Sequence, residues 1–110
     1  MKIQILKTLI FIFISLALID RSWAETEFQK IMQKAQQGDA ASQLELGWLY
    51  QYGEGVEKDI QKALGWYERV SNQGSSQAQV NIAVIYDEGI DVSENNELAV
   101  NWYQKAADQG

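Results

Sequence analysis

Residues 46–70, LGWLYQYGEGVEKDIQKALGWYERV, decide the fold because their pattern of glycines and aromatic residues returns 36 positions later. Gly38, Gly74 and Gly110 mark the same interval. Six further pairs keep their residue from the first unit to the second: Tyr50 with Tyr86, Gly53 with Gly89, Val56 with Val92, Ala63 with Ala99, Trp66 with Trp102, and Tyr67 with Tyr103. A fixed period of this length is typical of helical repeat proteins, which offer a binding surface in place of a deep pocket.

Each unit is predicted to form a hairpin of two helices. The first helix of unit one covers residues 39–52, where small and apolar residues fall at helical spacing. Gly53 and Gly89 are predicted to end the first helices, because glycine adopts the left-handed conformation of a C-cap without steric cost. Asp59 and Asn95 are predicted to cap the second helices, since their side-chain oxygens can accept from the free amides there.

The core is predicted from apolar stripes on the second helices. The stripe residues are Ile60, Ala63, Leu64, Tyr67 and Val70 in unit one, and Ala99, Val100, Tyr103 and Ala106 in unit two. Gly47 lies in the middle of a helix, where glycine costs about 1 kcal/mol relative to alanine, so we expect it to permit a close contact between helices. A lone helix over residues 25–37 is predicted to cap the stack at its N-terminal end.

The first 24 residues are interpreted as a signal peptide. Lys2 and Lys7 precede the apolar run TLIFIFISLALI, and small residues at Ser22 and Ala24 suit a signal peptidase. The alternative is a membrane anchor, but the run of residues 8–19 would span only about 18 Å of a hydrocarbon core of about 30 Å. We therefore expect a periplasmic or secreted protein that meets the membrane only transiently, through its signal peptide.

The remaining chain, residues 25–110, is predicted to be one small repeat domain. Its repeats are expected at residues 38–73 and 74–110, after the cap helix. It holds 14 of the 15 acidic residues and 6 of the 9 basic ones, which gives a net charge of about −8. Such a surface repels phosphate backbones, so nucleic acid is not an expected partner.

Composition also bears on chemistry, because the chain contains no histidine and no cysteine. Catalytic triads and thiolate or imidazole metal sites therefore cannot form. The acidic residues Asp87, Glu88 and Asp91 do not follow the spacing of a calcium loop, so they are interpreted as a solvated loop. We expect no catalytic residue, no cofactor and no metal, and hence no enzyme.

The stretch quoted above, together with WYQKAADQG at residues 102–110, resembles the Sel-one-like repeats (SLR), which are related to the tetratricopeptide repeats. Unit one matches the family pattern closely, whereas unit two departs from it at Ala83, Asp91 and Asn95. The resemblance implies an all-α fold, an α/α solenoid of antiparallel helix hairpins. It also implies an adaptor for protein complexes, in bacteria often an exported one.

A recognition surface is predicted on one face of the first helices. Trp48 and Tyr52 do not recur in unit two, and they share a helix face with Glu45 that is distinct from the core stripe. Large aromatic residues on a variable face are typical anchors of binding surfaces. The predicted concave binding stripe comprises Glu45, Trp48, Tyr52, Asn81, Val84 and Glu88. The alternative is that Trp48 packs against the N-terminal cap helix.

These observations favour an exported module that binds a protein or peptide partner as an adaptor or scaffold. The alternative is a protein that binds or hydrolyses cell-wall or β-lactam-like molecules, although the exported relatives with such roles are rich in cysteine pairs. We also expect self-association through the C-terminal end, because no polar capping helix follows Trp102 and Tyr103 before Gly110.

Overall fold

The computed structural model describes residues 27–109, and within them the chain is helical with short connections and no strand. The described part of α1 covers residues 27–36. It is followed by α2 (Ala40–Tyr52), α3 (Ile60–Ser71), α4 (Ser76–Glu88) and α5 (Asn96–Gln109). Residues from Ile31 onward form one compact unit, to which all the packing below belongs. The predicted signal peptide lies outside the described residues, and none of the described helices is long and apolar enough to cross a membrane.

The predicted helix ends are confirmed by the backbone and the cap hydrogen bonds. Gly53 and Gly89 end α2 and α4 in the left-handed conformation, with φ of 69° and 64°. Asp59 caps α3 by accepting from the Lys62 amide at 3.0 Å, and Asn95 Oδ1 accepts from the α5 amide of residue 98 at 3.0 Å. Asp39, predicted as the first helical residue, is instead the N-cap of α2.

The helices pack in chain order, α2 on α3, α3 on α4 and α4 on α5. The Tyr67 hydroxyl on α3 donates to Gln51 Oε1 on α2 at 2.7 Å. Gln73, just after α3, donates to Gln43 Oε1 near the start of α2 at 2.8 Å. The Asp59 amide at the start of α3 also donates to the Tyr50 carbonyl near the end of α2 at 2.8 Å. The start of α3 thus meets the end of α2, and the end of α3 meets the start of α2, so the two helices form the predicted antiparallel hairpin.

The close helix contact predicted at Gly47 is confirmed. A Cβ atom placed on Gly47 would overlap the ring of Tyr67 and would lie only 2.9 Å from its Cζ. Tyr67 is fully buried. In the second unit Ala83 stands at the equivalent position, so α4 carries a methyl group where α2 has only hydrogen. The missing side chain at residue 47 is what lets the Tyr67 ring lie against the α2 backbone.

The predicted core is correct for unit one and wrong in part for unit two. Every residue of the α3 stripe is buried, as are Ala99 and Ala106 on α5. Val100 and Tyr103, however, are 62% and 36% exposed. The unit-one equivalent of Tyr103 is covered by α4, whereas within residues 27–109 no helix packs on the corresponding side of α5. Burial at these positions therefore depends on the next hairpin as well as on the hairpin that carries them.

Two glutamines at equivalent positions tie each unit to the segment before it. Gln43 Nε2 donates to the Ala35 carbonyl at 3.0 Å, and its Oε1 accepts from Gln73 as described above. Gln79 Nε2 donates to Ser71 Oγ at 3.2 Å. Gln79 Oε1 is buried with no hydrogen-bond partner among the described residues. An unsatisfied buried acceptor costs about 1–3 kcal/mol. The contact that Gln79 makes between unit two and α3 is therefore weaker than the contact that Gln43 makes between unit one and α1.

Asp91 takes the place of the second loop glycine of unit one. Gly55 has a φ of 71°, and Asp91 keeps the left-handed conformation with a φ of 50°. Aspartate tolerates this region better than most residues, although at some cost in strain. The Asp91 carboxylate lies 3.0 Å from Lys58 Nζ, so an ion pair joins the loop of unit two to the loop of unit one.

Candidate functional site

A groove of about 490 Å³ lies between α2 and α4 and contains most of the predicted stripe. We call it the α2–α4 groove. The residues that line it are Ala41, Leu44, Glu45, Trp48 and Tyr52 from α2, and Gln77 and Asn81 from α4. The structure thus brings together four of the six predicted residues, and Val84 and Glu88 lie outside the lining.

Sequence reasoning missed three residues of this groove, although helical spacing could have found them. Ala41 and Leu44 precede Glu45 and Trp48 by one turn and so share their face. Gln77 is the equivalent of Ala41 in the second unit, as Asn81 is of Glu45. The groove is therefore formed by equivalent positions of two successive first helices.

Trp48 and Tyr52 form the exposed aromatic part of the groove. Their side chains are 46% and 58% exposed. They are one turn apart on α2, with ring centres 5.0 Å apart and ring planes inclined by 47°. Tilted ring pairs at this distance attract each other, and both rings remain partly exposed to solvent.

Polar side chains lie between the groove and the core. Gln77 Nε2 donates to Asn81 Oδ1 at 3.0 Å in the groove, and the Tyr67 hydroxyl in the core donates to Gln51 Oε1 at 2.7 Å. Burial raises the pKa of Tyr67, the nearby Tyr52 raises it further, and the Asn81 side chain opposes this rise. The hydroxyl therefore stays protonated at neutral pH and joins α3 to α2.

A second groove, of about 330 Å³, was not predicted from the sequence. Its lining residues are Met32, Tyr50, Lys62, Gly65, Trp66 and Arg69. Two cations cover its aromatic rings: Arg69 Cζ lies 4.6 Å from the centre of the Trp66 ring, and Lys62 Nζ lies 5.4 Å from that of Tyr50. The two grooves therefore differ in charge, because the α2–α4 groove has Glu45 and no cation in its lining.

The acidic residues near the end of α4 do not assemble into a site. Within the part of the chain that the structure describes, no three acidic side chains are placed to hold a metal ion. The Tyr103 hydroxyl donates to Asp87 Oδ2 at 3.4 Å, at the position equivalent to the bond between Tyr67 and Gln51. Partial desolvation and the Asp87 charge together raise the pKa of Tyr103.

Comparison with known proteins identifies related repeats. The family model described as Sel1 repeat matches residues 40–75 and 76–110, two segments that begin 36 residues apart. The chain is 42% identical over 41 residues to the secretory immunoglobulin A-binding protein EsiB of Escherichia coli O6:H1, a match covering 37% of this chain and 8% of that protein.

Two solved structures share the arrangement of helices. A protective antigen of uropathogenic Escherichia coli with an SLR fold superposes with a TM-score of 0.70 and 36% identity, covering 76% of this chain and 18% of its own. A Sel1 repeat protein from Oxalobacter formigenes superposes with a TM-score of 0.70 and 35% identity, covering 88% of this chain and 40% of its own. The described helices thus match SLR solenoids, and the chain spans less than half the length of each of these relatives.

Proposed function

The chain belongs to the Sel1 repeat family, and we propose that it is an exported adaptor that holds a protein or peptide partner in the α2–α4 groove. Proteins of this family are helical scaffolds, generally non-catalytic, and typically mediate interactions between proteins. The choice of the α2–α4 groove as the surface that binds the partner depends on Trp48 and Tyr52.

The observation that supports this surface is the exposure of two adjacent aromatic side chains on a rigid helix. Tryptophan and tyrosine are enriched among residues that dominate binding energies, because they bury a large area at a low cost in conformational entropy. Leu44 and Ala41 extend the apolar area, while Glu45 and Asn81 add hydrogen-bonding groups at its rim. A partner segment laid along the groove could contact both repeats at once.

The test is affinity capture from the cell envelope of the source organism with three forms of the tagged protein. Wild type is compared with a Trp48→Ala, Tyr52→Ala variant and with a Trp48→Phe, Tyr52→Phe variant, which keeps both rings. We expect the alanine variant to lose the captured partner and the phenylalanine variant to retain most of it, provided that all three have the same circular dichroism spectrum. Capture of the same proteins by the alanine variant would contradict the assignment.

Export is part of the proposal and is tested separately. The relatives suggest extracellular or surface proteins, and residues 1–24 have the features of a signal peptide. N-terminal sequencing of the protein from cell fractions should find Glu25 as the first residue, outside the cytoplasm. A protein that retains Met1 in the cytoplasmic fraction would exclude export.

The exposed side of α5 supports the predicted self-association. Leu64 and Tyr67 are buried in unit one, whereas their equivalents Val100 and Tyr103 are exposed. We propose that a second copy covers this side with a helix packed as α4 packs on α3. Sedimentation equilibrium should show a mass that rises with concentration and a return to monomer for Val100→Asp. A wild-type protein that is monomeric at all concentrations would refute this part of the proposal.

A further inference from the structure

Three aromatic rings of the described chain are covered by the chain's own cations. Arg69 lies over Trp66 at 4.6 Å, and Lys105 lies over Trp102 at 4.8 Å. These two pairs occupy equivalent positions in the two repeats, with the cation three residues after the tryptophan. Lys62 covers Tyr50 in the same way, as described above. A cation over a ring face is attracted by the negative charge of the ring's π-system.

The two rings of the α2–α4 groove lack such a cation. Within residues 27–109, no lysine or arginine lies over Trp48 or Tyr52. The residue three positions after Trp48 is Gln51, which is buried and bonded to Tyr67. The groove therefore presents two aromatic faces of the type that this chain covers with a cation elsewhere.

Glu45 supplies a negative charge beside these rings. It is exposed and precedes Trp48 by three residues, a spacing that places two helical side chains about 5–6 Å apart at their Cβ atoms. No basic residue lines the groove to neutralise this carboxylate, and the whole chain carries a net charge of −6. Both the local and the overall charge favour a cationic group in the groove.

We propose that the α2–α4 groove is a receptor for an arginine side chain of a partner peptide. The guanidinium group stacks on Trp48 and Tyr52 and donates hydrogen bonds to the Glu45 carboxylate. Arginine fits better than lysine because its planar group stacks on rings and donates two parallel hydrogen bonds to a carboxylate. This inference rests on the proposed function, since it names the chemistry of the partner that occupies the same groove.

The experiment uses three blocked heptapeptides, acetyl-GSGXGSG-amide, in which X is arginine, lysine or citrulline. Citrulline has the shape of arginine without its charge. Binding to the ¹⁵N-labelled protein is followed by NMR through the indole N–H signal of Trp48, which suits weak affinities. We expect the arginine peptide to bind about tenfold more tightly than the citrulline peptide, with lysine between them.

Two matched variants separate a specific contact from general attraction between opposite charges. Glu45→Gln removes the carboxylate in the groove, and Glu68→Gln removes an exposed carboxylate of α3 that does not line it. Glu45→Gln should reduce the preference for arginine over citrulline to less than about threefold, while Glu68→Gln should leave it near tenfold. If the two variants lost the preference for arginine over citrulline to the same extent, the proposal would be overturned.

The outcomes also separate this proposal from the proposed function. Equal affinities for the arginine and citrulline peptides, or no binding of any peptide, would overturn the arginine receptor. If the alanine variant of Trp48 and Tyr52 still loses its captured partner in that case, the groove remains the binding site. If arginine binding is confirmed but capture is unchanged in that variant, the arginine site stands and the adaptor surface lies elsewhere.

Discussion

Replacing Gly47 with alanine should destabilise the protein, although alanine is the better helix former. The added methyl group would overlap the Tyr67 ring, which cannot move aside because it is fully buried and bonded to Gln51 at 2.7 Å. Overpacking a core typically costs about 1–3 kcal/mol, and straining the hydrogen bond adds about 1 kcal/mol. Alanine offsets about 1 kcal/mol of this through its helix propensity. We therefore expect a net loss of about 1–3 kcal/mol in the free energy of unfolding.

The measurement is urea unfolding followed by circular dichroism at 222 nm, with thermal melts in parallel. In a domain of this size, such a loss lowers Tm by roughly 5–20 °C. Gly65→Ala is the matched control, because Gly65 is also helical but a Cβ there would meet nothing within 4 Å. The free energy of unfolding of this control should rise by up to about 1 kcal/mol.

A double-mutant cycle tests the stated cause. Adding Tyr67→Leu to Gly47→Ala removes the ring that the methyl group strikes, so the two changes together should cost less than the sum of their separate costs. A Gly47→Ala protein at least as stable as wild type, or strict additivity in the cycle, would show that the contact with Tyr67 does not explain the glycine.

Three further predictions concern the loops and the buried polar groups. Asp91→Gly should relieve the strain of a positive φ at the cost of an exposed ion pair, so we expect a stability change within about 1 kcal/mol of zero, whereas Asp91→Val should lower Tm clearly. The folded state raises the pKa of Tyr67. The contribution of Tyr67 to stability is therefore complete below the unfolded pKa of about 10 and is lost as the pH rises above that value. Absorbance at 295 nm should show this tyrosine ionising last, together with unfolding. Gln79→Met removes a buried acceptor that has no partner together with one hydrogen bond to Ser71, so it should lower the melting temperature less than Gln43→Met. Gln43→Met breaks two hydrogen bonds and should cost about 1–3 kcal/mol.

Gly47, Gly53 and Asp59, which act within their own hairpin, were predicted correctly from the sequence, although Asp39 was placed inside the helix that it caps. Gly53 and Asp59 act through backbone groups a few residues away, and Gly47 acts on a helix joined to it by a short loop. Val100 and Tyr103 were predicted as core because their equivalents in unit one are core. That prediction was wrong because periodicity describes a position within a unit, while burial there depends on what packs against the outer side of the helix.

The candidate site was predictable in part for the same reason. The face that carries Glu45, Trp48 and Tyr52 follows from helical spacing alone, and Asn81 follows from the repeat. The extent of the groove depends on the distance between two helices that are not neighbours in the chain, which no sequence pattern supplies. Val84 was therefore included in the stripe although it lies beyond the lining. The binding role of the predicted stripe stays a prediction, as does the signal peptide.

The Asn81 side chain lines the α2–α4 groove and also influences the buried Tyr67 hydroxyl. A ligand that hydrogen-bonds the Asn81 amide would change this influence, while Tyr67 holds Gln51 on α2. Ligand binding and the internal rigidity of the hairpin would then be coupled. Exchange of the Tyr67 phenolic proton with water should therefore be faster with the ligand bound than without it.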